Sequence, residues 1–146
     1  MKVLNIRFKA CAKETEKDGL VKTLKDFLPE DTDVTVDELA PETEGGIFTH
    51  MLYKIQARVL RKKDIEELVD RILGGLSEKD KCVLSDNIEE RVDEDCNFYV
   101  RLSKEKLAAG EVVLQSKDSV HVKFKIASYP ARRENAVKAV EDLLGR

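Results

Sequence analysis

Residues 2–12 alternate in polarity, with Leu4, Ile6 and Phe8 on one side and Asn5, Arg7 and Lys9 on the other. A period of two is the signature of a half-buried strand. The pattern then changes. Leu20, Val21, Leu24, Phe27 and Leu28 recur at helical spacing behind Glu14, Glu16 and Asp18, with Thr15 as the expected cap and Pro29 as the stop. Asp33 to Leu39 reads as a short edge strand, and Pro41 to Gly46 as a turn-rich loop. Alternation returns from Ile47 to Leu60. There Ile47, Met51, Tyr53, Ile55, Ala57 and Val59 share one face, and Phe48, His50, Leu52, Lys54, Gln56 and Arg58 the other.

The second half repeats the same vocabulary. Asp64 is the expected cap of a helix carrying Ile65, Leu68, Val69, Ile72 and Leu73 and ending at Gly74-Gly75. Ser77 and Asp80 have capping-box spacing and open a helix running through Val83, Leu84 and Ile88 to Arg91. After the acidic turn Asp93-Glu94-Asp95, the residues Phe98, Val100 and Leu102 alternate with Asn97, Tyr99, Arg101 and Ser103. A helical turn from Lys104 to Ala109 ends at Gly110, and Glu111 to Leu114 reads as a strand. Val120 to Ala127 is the last strand. Pro130 then introduces a helix that buries Ala136, Val137, Val140, Leu143 and Leu144. The order is β-α-β-β-α-α-β-turn-β-β-α. Few strands are apolar on both faces, so the expected fold is α+β. It has a mixed, largely antiparallel sheet, helices packed on one face and the other face open.

The outward positions of these strands carry one sign of charge. They are Arg7 and Lys9, then Lys54 and Arg58, then Tyr99 and Arg101, and last His121, Lys123 and Lys125, with no acid among them. The formal net charge of −3 hides this polarity. Residues 13–46 hold four basic and eleven acidic residues, whereas residues 97–138 hold nine basic and four acidic. A cationic face with a tyrosine suits a phosphate backbone and unstacked bases. The competing readings are a merely solvated face and a dock for an acidic protein. Arg132 and Arg133 sharpen the question. They stand where a helix begins, at the positive end of its dipole, and an anion there would meet free N–H groups and two guanidinium forks.

Composition excludes more than it selects. The 146 residues suit one domain spanning 1–146, 42% of them hydrophobic and 38% charged. No run of eighteen apolar residues is present, and the first residues lack a signal-peptide core, so a cytoplasmic location and no membrane partner are expected. Cys11, Cys82 and Cys96 are far apart and only two histidines accompany them, so three reduced, buried thiols are expected and no metal or other cofactor. There is no Gly-rich phosphate loop, no HExxH and no nucleophile elbow, so no catalytic residue is assigned.

Three stretches, "NFYVRLSKEKLAAGEVVL", "DSVHVKFKI" and "YPARRENAV", resemble a family of small archaeal proteins described as RNA-binding or predicted exosome subunits. The family looks like the 5S-RNA-binding ribosomal protein in fold. Arg101, Lys104 and Gly110 match its strand, Lys, short helix and Gly pattern, and Ser103 stands where Asp is usual. The opening "ACAKETEKDGLVKTLKDFLP" is similar as well, whereas Glu44-Gly45-Gly46-Ile47-Phe48 departs from the family's Gly-His-aromatic turn. The resemblance implies a non-catalytic RNA-binding protein in RNA processing, exosome-associated or ribosome-related. Its candidate RNA contacts are Arg7, Lys9, Lys54, Arg58, Tyr99, Arg101, Lys104, His121, Lys123, Lys125, Arg132 and Arg133. Single-stranded or structured RNA, protein subunits of a complex and a second copy of the chain are the candidate partners. The alternatives are a protein-interaction subunit that does not touch RNA, and a small enzyme or nucleotide binder.

Overall fold

The computed structural model describes residues 2–39, 42–44 and 47–145. Among the described residues seven strands and six helices follow one another. They are β1 (Val3–Lys13), α1 (Glu14–Phe27), β2 (Val34–Glu38), β3 (Glu42–Glu44), β4 (Ile47–His50), β5 (Leu52–Val59), α2 (Lys62–Gly75), α3 (Glu78–Asp86), α4 (Ile88–Arg91), β6 (Asn97–Ser103), α5 (Lys104–Ala108), β7 (Ser119–Ile126) and α6 (Arg133–Leu143). Five strands form one sheet in the order β2-β5-β1-β7-β6, and every neighbouring pair is antiparallel. The fold is α+β, with an open antiparallel sheet.

Strand parity decides which face is which. Ile6, Phe8, Ala10, Ile55, Ala57, Val59, Val100, Leu102, Val122 and Phe124 are all buried on the inner face. Against it lie Leu20, Leu24 and Phe27 of α1, Ile65, Leu68 and Ile72 of α2, and Ala136, Val137 and Val140 of α6. Phe98 and Phe124 are direct cross-strand partners with ring centroids 5.7 Å apart, and Phe8 meets Phe27 edge-on at 6.4 Å. Burying each such ring stabilises the fold by about 1.5–3 kcal/mol. The inner face is thereby committed to the core, and the outer face is left to function.

Several local expectations give way to specific contacts. A register shift between Val3 and Asn5 turns Val3 inward and leaves Leu4 exposed. The cap of α1 is not Thr15: the Glu16 carboxylate folds back to accept from the Lys13 N–H at 3.0 Å. Helix α2 starts at Lys62, which places Asp64 in its first turn and makes Arg61 the capping residue. Ser77 does cap α3, its hydroxyl accepting from the Asp80 N–H at 3.1 Å. The expected long helix divides at Asn87, whose φ of −119° leaves the helical range and separates α3 from α4. Glu42–Glu44 is a strand paired with β4, while Pro41, Gly45 and Gly46 of the expected loop lie outside the described residues. The run from Ile47 to Leu60 divides at Met51 into β4 and β5, and the expected faces of Ile47 to His50 also lie outside the described side chains.

Glu111 to Leu114 contributes only a bridge from Leu114 to Leu102, because Asp80 Oδ2 takes the Leu114 N–H at 3.1 Å and α5 sets the path of the chain. Gly110 closes α5 at a φ of 81°, a conformation that favours glycine, with its N–H bonded to Leu107 O. Pro130 precedes α6 by three residues instead of lying in its first turn. Among the described residues no helix is long and apolar enough to cross a membrane. No disulfide joins the cysteines. Only Cys96 is buried, since Cys11 falls on the outward parity of β1 and Cys82 on an exposed side of α3.

Candidate nucleic-acid interface

Residues paired across an antiparallel ladder point to the same face, so the strand registers assemble the outer surface directly. Arg58 pairs with Arg7, Arg7 with Lys123, and Lys123 with Tyr99. One residue pair further along, Gln56 pairs with Lys9, Lys9 with His121, and His121 with Arg101. Each row crosses four strands, roughly 14 Å at a strand spacing of about 4.8 Å, and the two rows lie about 7 Å apart along the strands. Lys54 lies opposite Cys11, and Lys125 lies between Asn5 and Asn97. Nine of the twelve candidate residues therefore share one face. Among the described residues of the five strands, β2 is the one that brings an acid to that face, where Asp37 pairs with Lys54.

The first row is electrostatically unusual. Arg7, Arg58 and Lys123 are adjacent cations, and among the described residues none of them forms an ion pair with a carboxylate. Like charges directly opposite one another destabilise a sheet. A concavity of about 920 Å³ lies over these residues, and Glu30, Asp31, Asp33 and Asp64 line it as well.

His121 and Tyr99 are held in defined protonation states. Burial, then the charges of Arg101 and Lys9, push the His121 imidazole below its ordinary value, so it is neutral at pH 7. The Tyr99 hydroxyl donates to Asp93 Oδ2 at 2.7 Å, and this bond, with burial, pushes Tyr99 up to about 12. Burial works to raise the Asp93 carboxyl. Hydrogen bonds from the Asn97 N–H, the Tyr99 hydroxyl, the Asn97 side chain and the Asp95 N–H outweigh it and hold Asp93 below its ordinary value. The expected solvated turn is thus a hydrogen-bonded knot that fixes the tyrosine's tip.

The remaining three candidates lie apart from the rows. Lys104 is engaged on three sides: its Nζ donates to Cys11 O at 2.6 Å and to Asp118 Oδ1 at 2.7 Å, and lies 3.8 Å from Glu16. Arg133 Nε donates to Val92 O at 3.0 Å, and its terminal nitrogen donates to Glu89 O. That guanidinium closes the carbonyls at the end of α4. Arg132 is exposed at the N-cap of α6, without a side-chain capping bond. Lys125 Nζ also donates to a carbonyl, that of Asp95. Two residues off the candidate roster enter the picture: Gln56, which completes the second row, and Arg91, which lies beside Arg101 beyond the edge of β6. Gln56 was legible from its outward parity. Arg91 entered the sequence reading only as the end of a helix.

Known structures share this fold. AF2318 of Archaeoglobus fulgidus superposes with a TM-score of 0.81 at 21% identity, covering 97% of this chain and 99% of that one. Mth689 of Methanothermobacter thermautotrophicus gives a TM-score of 0.73 at 26% identity, with 99% of each chain covered. The RNA-binding protein PAB1135 of Pyrococcus abyssi is 32% identical over 142 residues, which is 96% of this chain and 92% of the relative. With the match to the family described as RNA binding extending over residues 5–126, and so over every strand of the sheet, the chain belongs to that RNA-binding family.

Proposed function

We propose that this chain is a non-catalytic RNA-binding protein and that it holds RNA on the open face of its sheet, chiefly through backbone phosphates. The observation that carries the reading is the register of Arg58, Arg7 and Lys123, three adjacent cations that form no ion pair among the described residues. A phosphate track would turn that repulsion into attraction and release counterions. Membership of the RNA-binding family and the similarity to the Pyrococcus RNA-binding protein support the same assignment. The setting suggested by the sequence resemblance is RNA processing, exosome-associated or ribosome-related.

The face also favours one kind of RNA. Sheets that read single strands stack two or three bases on exposed aromatic rings. Here Phe8, Phe98 and Phe124 belong to the core, and among the described residues of the five-stranded sheet Tyr99 is the one tyrosine or phenylalanine exposed on this face, with its hydroxyl tied to Asp93. A surface rich in cations and poor in stacking platforms suits a structured RNA, whose phosphates are presented in a fixed array.

The test is a titration of a stem-loop and an unstructured strand of equal length across a range of salt. Tighter stem-loop binding and a linear fall of log affinity with log salt are expected. Preference for the single strand would reject the structured-RNA reading alone. Absence of binding to either at low salt would reject RNA binding and favour a protein-docking subunit.

A further inference from the structure

Beyond the outer edge of β6 lies a concavity of about 800 Å³, bounded by α3, α4 and the chain at 114–116. Arg91 and Arg101 both line it, together with Tyr99, Gln115 and the acids Asp80 and Glu90. Arg91 belongs to α4, and Arg101 ends the row Gln56, Lys9, His121 on the sheet. The concavity therefore continues the cationic face around the edge of the sheet.

The two guanidiniums are poorly satisfied. Arg91 Nε is buried without a hydrogen-bond partner, and a terminal nitrogen of the same group reaches only Tyr99 O, at 3.4 Å. Arg101 reaches Ser116 O at 3.3 Å. Among the described residues neither arginine forms an ion pair. Asp80 commits Oδ2 to the Leu114 N–H, and Glu90 is exposed. Burial first, and then the charge of Arg101, hold Arg91 below its ordinary value, with Glu90 offsetting only part of this. A cation in the last turn of a helix suits the dipole. That alone does not account for a buried Nε without an acceptor, or for a second arginine beside it. A guanidinium keeps its charge in proteins, so the arrangement is relieved by a partner and not by deprotonation. A tetrahedral oxoanion offers acceptors to two forks at once.

We propose that Arg91 and Arg101 form an oxoanion site of phosphate class at the outer edge of the sheet. Its chemistry does not depend on the RNA reading. The phosphate belongs either to an RNA backbone that crosses the sheet and turns over this edge, or to a small phosphate-bearing molecule.

The side-chain Nε–H resonance of Arg91 is the direct probe. Inorganic phosphate, titrated at constant ionic strength against chloride, is expected to shift that resonance saturably and to raise the melting temperature. The rise in melting temperature should be lost in Arg91→Gln, and both responses should be weakened in Arg101→Gln, whose exposed side chain makes it the safer variant for folding. If the stem-loop RNA shifts the same resonance and phosphate competes with it, the source is RNA. The salt slope of RNA binding should then become shallower by about one unit in Arg91→Gln. If phosphate saturates while RNA leaves the resonance unmoved, the site serves a small molecule. An Arg91 resonance indifferent to both phosphate and RNA overturns the proposal. RNA binding that survives that result, and is lost on Arg7→Gln, leaves the sheet-face reading standing.

Discussion

Arg7 lies directly opposite Arg58 across the β1–β5 ladder, and Lys123 flanks Arg7 on its other side. Arginines facing one another in adjacent strands cost stability, by about 0.2–1 kcal/mol for a cross-strand pair. Arg58→Gln is therefore expected to hold the melting temperature or raise it slightly. The same change should weaken RNA binding at low salt and make the salt slope shallower by about one unit. Thermal melts and RNA titrations on one preparation check the pair of outcomes. Loss of stability together with unchanged RNA affinity would remove this row from the binding surface.

His121 offers a second readout, because Lys9 and Arg101 are its direct neighbours on the adjoining strands. Its folded value lies below its ordinary 6.5. The neutral form contributes stability that is fully present above the unfolded value and is lost as pH falls through the folded one. A phosphate laid across the row would favour the imidazolium and reverse the shift. RNA binding is thus expected to take up a proton, and to tighten between pH 7 and pH 6 more in the parent than in His121→Gln. Imidazole titration by NMR with and without RNA measures it. A folded value unmoved by RNA would place the ligand away from this row.

The outer face was legible in the sequence, because alternation fixes parity and parity fixes the face. Arg7, Lys9, Arg58, Tyr99, Arg101, His121 and Lys123 needed only the strand order to become two rows. The roles of Lys104 and Arg133 were not legible, because their partners are remote in sequence. Lys104 reaches Cys11, and Arg133 reaches Glu89 and Val92. Charge alone does not distinguish a cation awaiting a ligand from one already bonded to a carbonyl. Glu111 to Leu114 has the composition of a strand but lacks a continuous partner, since a strand exists only in its ladder.

Tyr99 and Asp93 link alkaline and acid behaviour. Tyr99 ionises near 12 in the folded chain and near 10 when unfolded. Its contribution to stability is complete below pH 10 and is lost as pH rises from 10 to 12. Asp93 behaves in the opposite sense, contributing above its unfolded value near 3.9 and losing that contribution as pH falls through its folded value. Tyr99→Phe should cost about 1 kcal/mol at neutral pH and abolish the latest-ionising tyrosine signal in an ultraviolet titration. A Tyr99 that titrates with the others would mean that the bond to Asp93 does not persist in solution.

Lys104 is expected to behave as a structural cation. Its ammonium joins the end of β1 through Cys11 O, the turn before β7 through Asp118, and α1 through Glu16. Hydrogen bonds to charged groups are worth about 1.5–3 kcal/mol, so Lys104→Met should destabilise the chain by that order. The folded fraction should bind RNA with close to parental affinity. Chemical denaturation with a parallel titration separates the two effects. A marked loss of affinity without loss of stability would return Lys104 to the RNA contacts.

Arg132 and Arg133 invite one common expectation, since both stand at the positive end of α6. Their surroundings divide them. Arg132 is exposed, without a side-chain bond at the cap, so Arg132→Gln should leave stability unchanged or raise it, by up to about 1 kcal/mol. Arg133 donates to Val92 O at 3.0 Å and to Glu89 O, carbonyls at the end of α4 that would otherwise want donors. Arg133→Gln should therefore destabilise by about 1–3 kcal/mol, the order of a lost charged hydrogen bond plus an unsatisfied carbonyl. Because α4 also carries Arg91, loosening it should disturb the edge of β6 before the far strand β2. Amide exchange would then quicken first at residues 88–92 and 97–101. Equal stability in both single variants would mean that Arg133 leaves the α4 carbonyls in solution. The pair would then again be a candidate for a joint anion site at the start of α6.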